Sequence, residues 1–543
     1  MEGSPIPVLT VQTAPYEDQR PTGGGGLRRP TGLFESQRNY LPNFVQSVLS
    51  SIDLRDRQGC TMVVGSDGRY FSRTAIDVVV QMAAANGIGR LVIGQNGILS
   101  TPAVSCIIRK IKAAGGIILT ASHCPGGPGG EFGVKFNVAN GGGFCLHSCC
   151  CNFSSLEWCL LEHFWEVNFP HHHPPLPSIF SCTPFHGTND FTSVKQLLYL
   201  LLFLLILFFM GPYVRRVLCD ELGAPANSAI NCIPLEDFGG QRPDPNLTYA
   251  TTLLEAMRGG EYGFGAAFDA DGDRYMILGQ NGFFVNPSDS LAIIAANLPC
   301  IPYFHQIGIR GFGRSMPTST ALDRVAKSMK VPVYETPAGW RWFSNLMDSG
   351  RCSLCGEESF GTGSDHIREK DGLWAVLVWL SIMAARKQSV EEIVTEHWTK
   401  FGRHYYCRFD YEALDPRTAY FIMRDLEALI TDKSFSNQQF AVGNNVYTVL
   451  KTDSFEYVDP VDGTVTKRQG LRIIFSDTSR LIFRLSASSN VRATLRIYAE
   501  SYEKDPSKHN MEPQAVLSPL IAIALKISQI HERTSRKGPT VIT

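Results

Sequence analysis

Between residues 60 and 119 the chain alternates strand, helix, strand, helix, strand at a spacing that admits few folds. Residues 60–65 read as a strand. Residues 73–86 read as a helix with an apolar face through Ile76, Val79, Val80 and Met82. A second strand spans 90–94, and a second helix spans 100–114, with Ser100 as its cap and Pro102 in its first turn. Gly116, Ile117, Ile118 and Leu119 then form an apolar run suited to a strand buried on both faces. This order predicts a parallel sheet with helical crossovers. The last strand runs into Thr120-Ala121-Ser122-His123-Cys124-Pro125-Gly126-Gly127. Ser122 therefore sits at a strand's carboxyl end, the edge where open α/β sheets bind ligands. A serine hydroxyl needs a base, a cation or a prior modification to react. His123, Lys135 and an acidic cluster downstream are candidates. From this octet alone, a strand-end turn with a capping serine is an equal reading.

The acidic cluster is Asp269-Ala270-Asp271-Gly272-Asp273-Arg274. Carboxylates at every second position converge when the segment is a loop or strand end, and such a density of charge calls for a cation. Three oxygens with positions left open suit Mg²⁺, which shares its shell with phosphate. A calcium EF-hand fits badly, because Arg274 and Gln280 stand where Gly and Glu belong. The apolar flanks, Phe268 and Tyr275 to Leu278, argue against a solvated acidic turn. Glu357, Glu358 and Ser359 between Gly356 and Gly361 form a second polar cluster, able to meet sugar hydroxyls or to be a solvated loop. Lys370 and Asp371 precede an apolar helix; Lys370 reads as an acid, a base or a solvated helix start. Arg484 to Asn490, followed by Arg492 and Arg496, is either a phosphate cradle or a surface turn. Arg28 and Arg29 follow a four-glycine run that reads as a mobile loop.

Elsewhere the chain is ordinary. Fifty basic residues against 51 acidic ones give no basic excess for nucleic acid. Its first residues are polar and proline-rich, unlike a signal peptide. Fifteen cysteines, six of them between 144 and 210 and the rest without framework spacing, predict free thiols in a reducing, intracellular compartment. Cys352 and Cys355 form a lone Cys-x-x-Cys, better read as two thiols than as zinc ligands.

Residues 144–210 break the pattern. They hold five charged side chains, six histidines including His171 to His173, and fourteen uninterrupted apolar residues from Leu197 to Met210. Fourteen is short of the roughly 20 needed to cross a bilayer. The segment reads as aberrant, such as translated non-coding sequence or alternative splicing, and as an aggregation liability. Beyond it, helices are predicted over 213–222, 288–297, 318–330, 340–348 and 371–386, with a strand, acidic loop and strand over 262–285 and strands at 331–335 and 353–356. After Gly402 strands at 471–475, 480–485 and 492–498, with helices at 418–429 and 517–533, suggest an α+β domain.

With these motifs in hand, the chain resembles the α-D-phosphohexomutase family, and its phosphoglucomutase subgroup, over about 1–143 and 211–543. The resemblance implies an α/β protein of four domains around a central cleft: 1–143, 211–306, 307–402 and an α+β domain at 403–543, with 144–210 outside the native fold. It implies that Ser122 and His123 form the phosphoserine loop, and that Asp269, Asp271 and Asp273 bind one Mg²⁺ together with the Ser122 phosphate. It implies that Gly339, Glu357 and Ser359 contact sugar, and that Arg484, Ser486 and Arg496 contact phosphate. It further implies that Arg28, Lys135, Arg274 and Lys370 serve the phosphates or proton transfer. The family reaction passes phosphate from the serine to a glucose phosphate, through a bisphosphate.

Three departures stand against that pattern. Cys124 replaces the Asn usual after Ser-His, and Ala338 replaces the second Thr of Thr-Pro-Thr-Gly. Ser486-Ala487-Ser488-Ser489-Asn490 replaces Ser-Gly-Thr-Gly-Ser. Both glycines, which permit positive φ and close approach to phosphate, are gone. These losses resemble those of a muscle phosphoglucomutase-like branch of the family. That resemblance implies little or no mutase activity, a cytoplasmic location at the cytoskeleton and adherens-type junctions, and partners such as dystrophin or utrophin. A working phosphoglucomutase that tolerates the altered loop is the alternative. The aberrant segment predicts a poorly soluble chain, whereas replacing 144–210 with ordinary family sequence is expected to restore cooperative thermal unfolding in a calorimeter; full solubility and cooperative melting of the unaltered chain would contradict this.

Overall fold

Ile117 and Ile118 face opposite sides of one sheet. Ile118 packs with Val63, Val104 and Ile108, while Ile117 and Leu119 pack with Met62, Val64, Phe44 and Val79. Strands buried on both faces in this way lie between two helical layers. In the computed structural model, residues 8–14, 16–19, 26–143, 156–161, 203–206, 210–487 and 492–543 are described. They fall into two compact units. The first is Met1–Pro245 with Ala266–Tyr275 and Gly363–Leu377; the second is Asn246–Gly265, Met276–Thr362 and Val378–Thr543.

The first unit holds a five-stranded sheet in the order Gly26–Pro30, Glu131–Val138, Gly115–Leu119, Thr61–Ser66, Arg90–Ile98. The last three strands are parallel, linked by the helices Ser72–Ala85 and Thr101–Ile111. The sheet is mixed, not wholly parallel as the alternation suggested. Glu131–Val138 returns beside Gly115–Leu119 after a turn too short for a helical crossover, and so runs antiparallel. Gly26–Pro30 is antiparallel to it in turn. Arg28 therefore sits on a strand opposite Gly133, a correction to its expected place on a mobile loop. The glycine run before it lies mostly outside the described residues. Within 144–210, Leu156–Leu161 pairs antiparallel with Val8–Thr13, and Phe203–Ile206 pairs in parallel with Ala229–Ile230. The rest of that segment, up to residue 209, lies outside the described residues. The helix expected over 213–222 is a single α-turn, Gly211–Val214, continued as a π-helix over Arg215–Glu221.

In the second unit, Val333–Thr336, Phe312–Ser315 and Leu354–Glu357 form parallel strands in that order. Their helices are Ala321–Met329 and Trp340–Asp348. A seven-stranded antiparallel sheet carries the α+β part. Its central strands are Arg480–Ala487, Ala493–Glu503 and Arg403–Leu414. The helices Pro416–Thr431 and Pro513–Ser528 cover its apolar face through Ile422, Leu426, Leu520 and Ile523. The C-terminal helix is not continuous to 533. Gln529 takes a left-handed φ of 50°, and a second short helix, Ile530–Thr534, follows. Cys352 and Cys355 are buried free thiols packed with Trp340 and Phe343. Cys106, by contrast, is disulfide-bonded, a correction to the expectation of free thiols throughout. Among the described residues no helix is long and apolar enough to cross a membrane.

One buried carboxylate ties the turn after Phe312–Ser315 to the large sheet. Glu500 accepts from Ser319 Oγ, Thr320 N, Thr320 Oγ1 and His404 Nδ1 at 2.8–2.9 Å, and from Arg480 Nε at 2.5 Å. Burial alone would raise its pKa, but Arg480 and His404 hold it well below the usual carboxylate range. Glu500→Ala strands the Arg480 charge and is expected to lower stability by about 3–5 kcal/mol in urea unfolding followed by fluorescence. A depressed pKa gives stability that is complete above the unfolded value of about 4.3 and lost as pH falls below it. The gap between Glu500→Ala and the parent chain should therefore be full at pH 7 and narrow in acid.

Candidate functional site

Ser122 follows the strand Gly115–Leu119 with a φ of 53°, a left-handed conformation that costs a non-glycine residue about 1–2 kcal/mol. Neighbouring groups enforce it. Ser122 N donates to Thr120 Oγ1 at 2.8 Å, and Thr120 Oγ1 donates to Asp67 Oδ2 at 2.5 Å. Arg69 grips Asp67 through Nε and Nη2 and donates from Nη2 to Ser122 O at 2.9 Å. Its Nη1 reaches Glu131 O at 2.7 Å. This buried pair fixes the direction of the serine hydroxyl, which donates to Asp269 Oδ2 at 2.6 Å. His123, its chain neighbour, is half-buried. Cys124, the residue after it, is buried, and its Sγ lies 3.5 Å from Arg28 Nη1.

Asp269, Asp271 and Asp273 lie on the loop between the strands Phe264–Phe268 and Tyr275–Gly279. All three are buried, and one oxygen from each falls within 4.8 Å of the others. Gly272, at a φ of 73°, sets the turn; a Cβ there would come within 2.2 Å of Met210 Sδ. Two remote segments pin the loop. Thr101 N donates to Asp271 O and Gly372 N donates to Gly272 O, each at 3.0 Å. Thr101 Oγ1 also donates to Asp271 Oδ2 at 2.6 Å.

Three cations face the three carboxylates. Lys135 Nζ lies 2.8 Å from Asp271 Oδ2 and 3.6 Å from Asp273 Oδ2. Lys370 Nζ lies 3.0 Å from Asp273 Oδ2. Arg274 Nε lies 3.9 Å from Asp269 Oδ2 and 3.7 Å from Asp273 Oδ1. Lys370 is thus part of the cluster and not a solvated helix start. Burial and the two neighbouring carboxylates push Asp269 well above its ordinary value. Burial would raise Asp271 too, but Lys135 holds it below the usual range. Glu369, raised to about 7 by burial, accepts from Asn137 Nδ2 at 3.2 Å. Asp371, raised to about 6 by burial, caps the helix Gly372–Arg386 through Trp374 N.

The cluster fits a divalent cation. Asp271 Oδ1 and Asp273 Oδ1 are buried and accept no hydrogen bond. Three carboxylates against three cations are balanced as they stand. A phosphate on Ser122 Oγ would add about −2, the charge a divalent ion offsets.

The second unit holds the remaining residues singled out in the sequence. Glu357 Oε1 accepts from Gly339 N at 2.8 Å, and Gly339 has a φ of 129°. Ala338 precedes it, and Ser359 is half-buried in the turn after Leu354–Glu357. Arg484 and Arg496 stand opposite each other on neighbouring strands. Arg484 Nη1 donates to Tyr498 OH at 3.2 Å, and Arg496 Nε lies 3.4 Å from Asp410 Oδ2. Ser486 sits near the end of its strand, opposite Thr494. Residues 488–491 of the expected phosphate loop lie outside the described residues. Sequence reasoning missed Asp67, Arg69, Thr101, Glu369 and Tyr498. Arg496 and Tyr498, two residues apart on one strand, carry a period-two signal that would have marked a shared face.

The chain that carries these features matches known proteins. Residues 19–145 match the model for phosphoglucomutase/phosphomannomutase α/β/α domain I, 286–401 match that for domain III, and 403–540 match that for the phosphoglucomutase-1 C-terminal domain. The chain is 77% identical to Phosphoglucomutase-like protein 5 of Homo sapiens, covering 100% of both chains. It is 56% identical to Phosphoglucomutase-1 of Oryctolagus cuniculus, over 99% of this chain and 100% of the relative. The crystal structure of the exocytosis-sensitive phosphoprotein pp63/parafusin, a phosphoglucomutase from Paramecium in its open form, matches with a TM-score of 0.86 at 41% identity, covering 100% of both chains. A serine held in a left-handed turn against a triple-aspartate loop thus occurs here in a chain whose matches run from end to end, and the chain belongs to the phosphoglucomutase/phosphomannomutase family.

Proposed function

We propose that this chain is a phosphoglucomutase-like protein with little or no mutase activity, acting as an adaptor at the cytoskeleton and adherens-type junctions in the cytoplasm. The observation that carries the reading is the contrast between the two halves of the chemistry. Ser122, Lys135, Arg274, Lys370 and the three aspartates keep a charge-balanced arrangement. On the substrate side, Ala338 lacks a hydroxyl and Ser486 to Asn490 lacks both glycines. A Cβ at a position needing positive φ costs about 1–2 kcal/mol, so two such positions weaken a phosphate cradle by one to three orders of magnitude. The 77% identity to a protein named phosphoglucomutase-like, against 56% to phosphoglucomutase-1, supports the same branch. Cytoskeletal and junction proteins such as dystrophin or utrophin are the partners this reading assigns, with no nucleic acid and no membrane span.

The retained half still has a chemical role in this reading. Asp269, Asp271, Asp273 and a phosphorylated Ser122 would hold Mg²⁺, which when bound neutralises phosphoryl charge. Asp269 orients the Ser122 hydroxyl by accepting its hydrogen. Lys135 and Lys370 keep Asp271 and Asp273 ionised and offer positive charge to a phosphoryl group. Arg28, beside Cys124, and Arg274 extend that field, with His123 next to the serine in the chain. Gly339, Glu357 and Ser359 would meet a hexose, and Arg484, Ser486 and Arg496 its phosphate.

The second reading is an active enzyme interconverting glucose 1-phosphate and glucose 6-phosphate, favoured by the intact serine and aspartates. A coupled mutase assay with glucose 1-phosphate and glucose 1,6-bisphosphate separates the two, using a chain with ordinary family sequence at 144–210. Little turnover is expected, and robust turnover would favour the enzyme. Ala338→Thr combined with Ala487→Gly and Ser489→Gly is expected to raise the rate by about tenfold or more; an unchanged rate would contradict the eroded-cradle account. Magnesium binding is expected in either reading. At a hundredfold excess over Kd the ion should add about 2.7 kcal/mol of stability. The raised pKa of Asp269 means that protons compete with the ion, so the Mg²⁺-induced rise in Tm should shrink as pH is lowered and vanish in Asp271→Ala.

A further inference from the structure

Glu358 lies between the two proposed sugar contacts, Glu357 and Ser359, yet its side chain is buried and faces elsewhere. Its Oε2 accepts from Ser315 Oγ at 2.9 Å and from Thr318 Oγ1 at 3.3 Å, and its backbone N donates to Thr318 Oγ1 at 2.9 Å. Its Oε1 accepts from Tyr498 OH at 3.1 Å. The same hydroxyl accepts from Arg484 Nη1 at 3.2 Å, and Arg484 Nη1 stands 3.9 Å from Glu358 Oε1. Tyr498 is itself buried, packed with Met316, Trp342 and Tyr406, so its hydroxyl has little freedom to turn elsewhere. Three separate segments thus meet on one carboxylate: the turn after Phe312–Ser315, the turn after Leu354–Glu357, and the strands bearing Arg484 and Tyr498.

A fully bonded buried carboxylate is a rigid fixture. Removing its charge weakens or breaks the hydrogen bonds that it accepts from Tyr498 and the two hydroxyls and leaves Arg484 short of a countercharge. The hydroxyl of Tyr498 can donate once; it gives that hydrogen to Glu358 and so presents a lone pair to Arg484. The direction of the guanidinium then depends on the carboxylate two bonds away. We propose that Glu358 is a positioning residue. Through Tyr498 it orients Arg484 toward phosphate, while its place in the turn sets Glu357 and Ser359 at the sugar, so that the two contacts are formed together. This rests on the reading of Arg484 as a phosphate ligand, and it extends that reading by joining the sugar turn to the phosphate strand within one hydrogen-bonded unit.

Isothermal titration of glucose 1,6-bisphosphate into the full chain, carrying ordinary family sequence at 144–210, tests this. Glu358→Gln keeps the shape and removes the charge; Tyr498→Phe removes only the hydroxyl and guards against misfolding of the first variant. Each is expected to weaken binding by about three- to tenfold, the net worth of one ordinary hydrogen bond, because the variants misdirect Arg484 without removing it. The double variant should be little weaker than the worse single one, because both cut the same connection. A merely structural role would lower the unfolding midpoint and leave the binding losses additive, and that outcome overturns the proposal. Arg484→Lys reports on the parent reading. If it weakens binding while Glu358→Gln and Tyr498→Phe bind as the parent chain does, the positioning role is wrong and the phosphate-ligand reading stands. If Arg484→Lys also binds as the parent does, the phosphate-ligand reading fails and the positioning role fails with it.

Discussion

Three buried carboxylates with oxygens within 4.8 Å of one another are the constraint from which the first unit is built. At an effective dielectric of about 20, each such pair repels by about 3.5 kcal/mol. The fold meets this by bringing Lys135 from a sheet strand, Lys370 from ahead of a helix, and Arg274 from the loop itself. It adds Thr101 and Ser122 as hydrogen-bond donors. The Ser122 loop is placed by the same requirement: Asp67 and Arg69 lock its backbone so that the hydroxyl meets Asp269.

The candidate residues of the second unit obey a different logic. Glu357, Gly339, Arg484 and Arg496 are held by hydrogen bonds and ion pairs inside the second unit, each with a partner of its own. Loss of a hydroxyl at 338 or of a glycine in 486–490 removes no countercharge, so the sequence can change there without unbalancing the fold. The aspartate loop of the first unit has no such latitude, since replacing Lys135 would leave the buried Asp271 without its countercharge. This asymmetry fits an unaltered serine and aspartate set beside the changes at 338 and 486–490.

The readings that came easily from sequence were those with short-range physical signals. Apolar runs and caps marked the strand Thr61–Ser66 and the helices Ser72–Ala85 and Thr101–Ile111 to within a few residues. The aspartates announced themselves by spacing, and their meeting in space follows from it. Arg28 was misplaced because its strand is an edge, stabilised by a partner about a hundred residues away, Gly133, and not by its own apolar pattern. Asp67, Arg69 and Thr101 were missed for a similar reason. Each looks like an ordinary turn or cap residue until the serine and aspartate loops fold against it. The break at Gln529 lies in a residue's backbone angle and leaves no mark in an otherwise helical run.

The first unit is not continuous along the chain, for it takes in Ala266–Tyr275 and Gly363–Leu377. On the ribosome, its sheet strands emerge long before Lys370 and Gly372, which complete the neutralisation of Asp273 and the pinning of Gly272. Until residue 377 has left the exit tunnel, a nascent chain carries the acidic loop without one of its three cations. Vectorial synthesis therefore cannot finish the first unit before the second unit's stretches 246–265 and 276–362 have been made, and prematurely terminated chains should be presented to chaperones and proteases with their most charged loop unsecured.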